Sequence, residues 1–447
     1  MMKKLLSKIL SQKTKNSFHK LEASFATFKN GNPSQKIKVI GITGTKGKTT
    51  VANLISAVLD ANGIKNAMET TILTKIGDEM IPHHTKVRWV TTPPANVLQG
   101  FLKKAVNAGC EYAVIEVTSQ AIDQNRIHGI KFDTVVYTNL SQDHLDYHKT
   151  KEAYLEAKLK LFRDNPDAKF VINADDANSA KFVALPGREK LLYSVKKPVE
   201  RGVVARKILT SPNSATFTAA HENGQNIINL KIPGIFNIQN ALAAYCVGLA
   251  LNLDPEKIKQ GLENVELVPG RMEAIKVSKD QDFTVIVDYA HNPDSLKNVY
   301  ETVRDGMSNT QGRLIAVLGA TGRRDKTKRP LMGALAGHFA DLVIFTNEDP
   351  YDEDPITIIE EVAAGIFRGG HKKHQWRLNR NYWKTLDRAT AIHQAITEAK
   401  KNDVVMITGK GAEEVMAIGP VGEDKFIPFS DRSIARNELE ARFHKSK

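Results

Sequence analysis

The chain has 447 residues, 41% hydrophobic and 25% charged, with a formal net charge of +13. That length exceeds one ordinary hydrophobic core, so two or three domains are expected, and the lack of an apolar run near the roughly 18 residues of a membrane span argues against a transmembrane role. Two cysteines, Cys110 and Cys246, each in an apolar stretch, cannot build a four-cysteine zinc site; they read as small buried hydrophobes of a reducing, cytoplasmic protein.

The positive charge is concentrated at the start. Residues 1 to 38 hold nine lysines against a single acid, Glu22. The remainder is ordinary for its size, so nucleic acid is not an expected partner. Within this head Leu5, Leu6, Ile9 and Leu10, then Phe18, Leu21, Phe25 and Phe28, recur at helical spacing. A short basic helical segment over 1–36 is therefore expected. Lys8 and Lys13 interrupt its apolar patches and no small-residue cleavage site follows, unlike a secretory signal. Two uses stay open: docking on the main body, or peripheral contact with an anionic membrane.

From residue 37 short apolar segments alternate with helical ones, the pattern of a parallel sheet covered by helices. A strand over 39–42 runs into Gly44-Thr45-Lys46-Gly47-Lys48-Thr49-Thr50, and the following helix carries Val51, Leu54, Ile55, Val58 and Leu59 on one face. Strand, glycine loop and helix in this order make a phosphate site. Backbone N–H groups at the helix start cradle phosphate oxygens, Lys48 neutralises charge and the Thr49 hydroxyl can reach Mg2+. The strict Walker spacing fails, because Ile42 stands at its first glycine. Further strands are expected over 112–117, 134–137 and 170–172, each followed by polar residues where the C-terminal edge of a sheet puts ligands. Residues 203–232, rich in Val, Thr and Ile, suggest an antiparallel insertion. After Val268-Pro269-Gly270-Arg271 a new series of strands (284–287, 314–318, 342–346, 404–408) alternates with helices. The expected architecture is α/β: a P-loop central domain with a mostly parallel sheet over 37–270, then a Rossmann-like domain over 271–447.

The variant phosphate loop resembles that of the Mur ligases of peptidoglycan synthesis, and the likeness runs through most of the chain. Ile115-Glu116-Val117-Thr118-Ser119 resembles the family's strand ending in a Mg2+-binding glutamate, and the block from Thr138 to His148 resembles its most specific motif. The resemblance implies nucleotide contacts for Gly44, Thr45, Lys46, Gly47, Lys48, Thr49, Thr50, Asn139, Asn237, Asn240, Arg271, Asp288, Tyr289 and His291. It also implies metal ligation by Thr49, Glu116, His144 and a carbamate on Lys158. Catalysis would then rest on Lys48, Lys158, His144 and Glu116, with ATP and Mg2+ as cofactors. For Asp175 and Asp176, in Asn173-Ala174-Asp175-Asp176, an ordinary turn and a functional role stay open.

Within the family the pattern is nearest the branch adding the third residue of the stem peptide. That likeness implies muramyl-peptide contacts at Thr91, Thr92, Pro93, Ser119 and Arg126, and an amino-acid pocket from Arg324, Asp349, Tyr351, Gly409 and Glu413. The implied reaction joins a diamino acid to UDP-MurNAc-L-Ala-D-Glu or a related muramyl peptide through an acyl phosphate. Only about 37 residues precede the first strand, too few for a UDP-binding domain of ordinary size. Gln120 and Ala412 replace histidines of the pattern, and the selecting motif reads Glu348-Asp349-Pro350-Tyr351 where diaminopimelate-selecting members end in arginine. With Tyr351 there and Glu348, Asp349 and Glu413 nearby, L-lysine or a similar diamine such as ornithine is expected; that these acids only face solvent, or that Arg377 or Arg380 replaces the missing arginine, stays open. A folylpolyglutamate synthetase-like or other Mur-like ligase is the alternative, and a nucleotide-regulated nucleic-acid or membrane adaptor the rival of another class.

Overall fold

The computed structural model describes residues 12–83, 91–141, 143, 145–211, 214–308, 310–368, 375–421, 423 and 425–444. Two β-sheets organise them. The strands of the first are β1 (Lys38–Thr43), β2 (Asn66–Glu69), β3 (Leu73–Ile76), β4 (Glu79–Pro82), β5 (Tyr112–Glu116), β6 (Phe132–Tyr137), β7 (Lys169–Asn173), β8 (Glu189–Ser194), β9 (Gly202–Thr210), β10 (Ala215–His221) and β11 (Gly224–Leu230). Their spatial order is β11-β10-β9-β8-β7-β6-β1-β5-β2-β3-β4. From β9 to β2 the neighbours are parallel, with antiparallel hairpins at both ends.

Burial on both faces explains the continuous apolar runs in β1, β5 and β6. Helices Lys48–Ala61, Ile235–Ala250 and Pro255–Asn264 supply the core on one face. Ala95–Asn107 and Lys151–Arg163 supply it on the other. Residues 203–232 are antiparallel as expected, yet they are no separate insertion, because β9 pairs in parallel with β8 and extends the same sheet. Strands β2 to β4 carry no run long enough to stand out in the sequence. Glu69 and Lys75 are buried among them, and β4 is exposed throughout.

The second sheet comprises β12 (Glu273–Ile275), β13 (Thr284–Asp288), β14 (Leu314–Leu318), β15 (Leu342–Thr346), β16 (Tyr382–Thr385) and β17 (Val404–Thr408), in the order β12-β13-β17-β14-β15-β16. All pairings are parallel except β12 with β13. Helices Pro293–Gly306, Lys328–Phe339 and Pro355–Ala363 pack on one face, Arg388–Glu398 and Asp431–His444 on the other. The chain passes from the first sheet to the second at Gly270, whose φ of +63° suits glycine and whose would-be Cβ lies 2.0 Å from the Ala412 nitrogen.

The N-terminal helix Gln12–Lys29 buries Ala23, Ala26 and Thr27. Asn16 donates to Asp123 at 3.2 Å and accepts from Asn125 at 3.1 Å. It docks, but not by the apolar residues its spacing singles out: Phe18, Leu21, Phe25 and Phe28 are exposed. Leu5, Leu6, Ile9 and Leu10 lie outside the described residues. Among the described residues no helix is long and apolar enough to cross a membrane.

Candidate active site

Strands β1, β5 and β6 lie side by side and end together, at Thr43, Glu116 and Tyr137, so their following loops share one edge. The β1 loop turns through Gly44 and Gly47, both at positive φ. A Cβ on Gly44 would sit 1.8 Å from the Thr138 hydroxyl, and one on Gly47 would sit 2.4 Å from Asn240 Oδ1, so only glycine admits this close approach. Helix Lys48–Ala61 starts at Gly47 with no side-chain cap, leaving first-turn N–H groups open to an anion.

The loop is braced from behind. Asn139 accepts from the Lys46 N–H at 3.0 Å and donates to the Lys46 carbonyl at 3.2 Å; Thr138 donates to the same carbonyl at 2.7 Å. Thr45 Oγ1 lies 3.0 Å from the Tyr154 hydroxyl and accepts from the Ser141 N–H. Lys48 folds back to donate to the Gly44 and Thr45 carbonyls at 2.8 and 2.9 Å. Desolvation lowers its ammonium pKa, opposed by Glu116 and Asp143. Lys46 is pushed down to about 8 by the same cause.

Lys158 is buried on helix Lys151–Arg163, its Nζ 4.4 Å from the Tyr154 ring centroid. Burial, then the nearby Lys48 charge, hold its pKa well below the usual lysine value. Glu116, also buried, accepts from the Thr71 N–H at 2.9 Å and its hydroxyl at 3.3 Å. His144 lies outside the described residues. Asp175 and Asp176 resolve into turn-holders: Asp175 accepts from Ser194 and the Val195 N–H, Asp176 from Tyr137 and the Leu140 N–H. Asp176 thereby holds the end of β6 and the loop after it that carries Asn139, a service no local spacing announces.

The second sheet faces this loop with its own strand ends. Arg271 lies 4.4 Å from the Tyr289 ring centroid, and its Nη2 comes within 3.5 Å of the Thr49 hydroxyl. Asn292 donates to Asp143 at 3.3 Å, a second link across the cleft. Asp288 accepts from the Met272 and Ala290 N–H groups, both at 2.7 Å, so its carboxylate shapes the turn. Desolvation lowers His291 to about 4, and Lys328, which donates to the His291 carbonyl, adds to that. Asn237 and Asn240 bond each other at 3.1 Å behind Gly47.

Thr92 accepts from the Thr118 N–H and donates to the Glu116 carbonyl, both at 2.9 Å, tying its loop to the end of β5. Thr91 accepts from Thr71 at 3.1 Å, and Pro93 is buried beside it. Arg126 donates to the Thr92 carbonyl at 2.9 Å, and Ser119 lies 2.9 Å from His148 Nε2. Thr92 and Arg126 are thus bonded together at the end of β5, and Ser119 opens the short helix Ser119–Asp123 that follows it.

The expected amino-acid pocket, to which the Gly409-Lys410-Gly411 stretch belongs, is organised by the lysine of that stretch. Lys410 is fully buried and donates to both Asp349 and Glu413 at 2.7 Å. These carboxylates raise the Lys410 pKa against its desolvation. Glu348 accepts from Thr321 at 2.8 Å, while its other oxygen, buried against Gly409, has no hydrogen-bond partner among the described residues. Burial raises its pKa. Tyr351 sits at φ +54° and bridges to Ile418. Arg324 stands exposed on the loop before Lys328–Phe339. The family likeness implies one pocket for Asp349, Gly409-Lys410-Gly411 and Glu413; the ion pairs that join Lys410 to an acid 61 residues back and another three ahead are visible only in the fold.

A glycine loop opening a helix at the edge of one α/β sheet, faced by the strand ends of another, defines a two-unit, phosphate-binding α/β protein. Residues 42–248 match the Mur ligase middle domain and residues 270–411 the Mur ligase glutamate ligase domain. The chain is 36% identical over 430 residues to UDP-N-acetylmuramoyl-L-alanyl-D-glutamate--2,6-diaminopimelate ligase of Clostridium tetani, covering 96% of this chain and 82% of that protein. A solved structure of a ligase with that name aligns with a TM-score of 0.63 at 31% identity, over 91% of this chain and 79% of the other. Mycobacterium tuberculosis folylpolyglutamate synthase, complexed with ADP and AMPPCP, has a TM-score of 0.69 at 18% identity, over 87% and 92%, a likeness of fold alone. The chain belongs to the Mur ligase family, and it is a ligase of peptidoglycan synthesis.

Proposed function

We propose that this chain uses ATP to join a diamino acid to UDP-MurNAc-L-Ala-D-Glu, or a related muramyl peptide, through an acyl phosphate, in the cytoplasm. The observation that carries the reading is electrostatic: an uncapped helix start, Lys48, buried Lys158 and Arg271 gather at one cleft. Phosphates would neutralise that gathering. A division at 270/271 is supported by the two separate sheets, and in this reading ATP binds between them.

In this reading the peptide carboxylate attacks the γ-phosphorus of ATP and ADP leaves. The amine of the incoming amino acid then attacks the acyl carbon; phosphate departs and the amine gives up a proton. Lys48 and the loop N–H groups stabilise the transferring phosphoryl group, and Arg271 reaches it from the other unit. Asn139 acts mainly by bracing the loop. Thr91, Thr92, Pro93, Ser119 and Arg126 form the wall along the peptide, and Asn237, Asn240, Asp288, Tyr289 and His291 line the nucleotide side.

The donor set suits Mg2+: the Thr49 hydroxyl and Glu116 carboxylate are buried oxygens near Lys48, and Lys158, its pKa lowered, can take up CO2 as an anionic carbamate. His144 would complete it. Bound Mg2+ shields the negative charge of the phosphates. Glu116→Gln should raise the Mg2+ concentration giving half-maximal rate by on the order of 10-fold or more. An unchanged metal titration would remove Glu116 from the site.

Two observations bear on the amino acid. The relatives are named for 2,6-diaminopimelate. Yet Tyr351 offers one phenol and no charge for a distal carboxylate, and with Lys410 shared between two acids the pocket keeps negative charge. L-lysine is therefore the expected better substrate, and Tyr351→Arg should raise the kcat/KM for meso-diaminopimelate relative to L-lysine by about 10-fold. Both residues occupy the left-handed backbone region at similar cost, which keeps the comparison clean. A wild-type preference for meso-diaminopimelate would refute the charge argument. The wider reading is tested by ADP release with UDP-MurNAc-L-Ala-D-Glu and single amino acids, with product mass measured. No substrate-dependent ADP across the panel would overturn it.

A further inference from the structure

We infer that helix Gln12–Lys29 is a docking surface for an anionic phospholipid bilayer. The helix has two opposed faces. At about 100° per residue, Phe18, Leu21, Phe25 and Phe28 fall within an arc of roughly 80°, while Ala23, Ala26 and Thr27 lie on the far side. Only the small-residue side is buried, at 0%, 4% and 7% exposure, and Thr27 also reaches the His128 carbonyl at 3.4 Å. The four large side chains are 57%, 68%, 67% and 78% exposed.

An apolar stripe of this size facing water is costly, and scattered exposed residues do not line up on one helix face. Docking on the body therefore accounts for the alanines and leaves the phenylalanines without a role. The partner must be apolar at depth and negative at its rim. Residues 1–38 hold nine lysines against Glu22 alone; Lys20, Lys29 and Lys36 are exposed on or just after the helix. A protein groove could accept the stripe, but this one-signed charge matches the headgroup layer of an anionic leaflet, where the rings sink to the acyl boundary and the ammonium groups stay among phosphates. Each lysine near such a surface strengthens partitioning by about 5-fold.

The test is co-sedimentation of the full chain with vesicles of phosphatidylcholine alone and of phosphatidylcholine mixed with phosphatidylglycerol. Binding to the anionic vesicles is expected to exceed binding to the neutral ones by about 10-fold or more and to weaken with salt. Phe25→Ser with Phe28→Ser should return it to the neutral level, and Lys20→Glu with Lys29→Glu should lower it by about 10-fold or more while keeping the apolar stripe. None of these positions is buried, so unchanged melting temperatures are expected. Equal binding to both vesicles, or indifference to either variant, overturns the inference. So does self-association that the Phe25/Phe28 variant abolishes while vesicles leave the wild type in solution, since the stripe would then join two copies of the chain. Binding to single-stranded DNA as tight as to the anionic vesicles and blind to the phenylalanine changes likewise refutes it.

Discussion

Lys48→Ala is expected to lower turnover by about a thousandfold, or about 4 kcal/mol of transition-state stabilisation, without unfolding the protein. The lysine does two things at once. Its ammonium is the cation at the phosphate loop, and its hydrogen bonds to the Gly44 and Thr45 carbonyls hold the loop's curve. Desolvation works against that charge in the absence of phosphate, as its lowered pKa records. Removing it should therefore leave the melting temperature unchanged or slightly raised, the usual relation between a strained site and stability. Turnover is read as ADP release and folding as the thermal transition of the same sample. Near-normal turnover with unaltered Mg2+ dependence would defeat the phosphate-loop assignment.

The largest stability effect is expected far from the phosphates, at Asp431. Arg388 and Asp431 are both fully shielded from solvent and form a two-pronged pair at 2.8 and 2.7 Å. The guanidinium also donates to the Asn347 carbonyl at 3.2 Å and the Thr408 carbonyl at 2.8 Å, so it ties the ends of β15 and β17 to helix Asp431–His444. Asp431→Ala would strand a buried cation and should cost about 3–5 kcal/mol, seen as an early unfolding step of the second unit in urea. Arg388→Met with Asp431→Leu removes both charges and should recover much of that loss. Arg388 also lies near Glu348, whose raised pKa it opposes. The single Arg388→Met change should accordingly raise KM for the amino acid more than it lowers kcat. A loss below about 1 kcal/mol for Asp431→Ala would mean that water reaches the pair.

The sequence by itself determined the parts that rest on near neighbours. A buried parallel strand needs an unbroken apolar run, so β1, β5, β6, β7, β13, β14, β15 and β17 were all legible, with bounds within two residues. The glycine loop was legible because its conformation is dictated by residues three apart. Tertiary structure alone decided what depends on direction and distance. Asn139 spends both ends of its amide on Lys46, Lys410 is the buried cation between Asp349 and Glu413, and residues 203–232 extend the main sheet. The N-terminal helix shows the division most plainly. Its spacing reported an apolar face, but spacing carries no information about which face meets the body, and the closer approach of alanines won that contact, leaving the phenylalanines facing water.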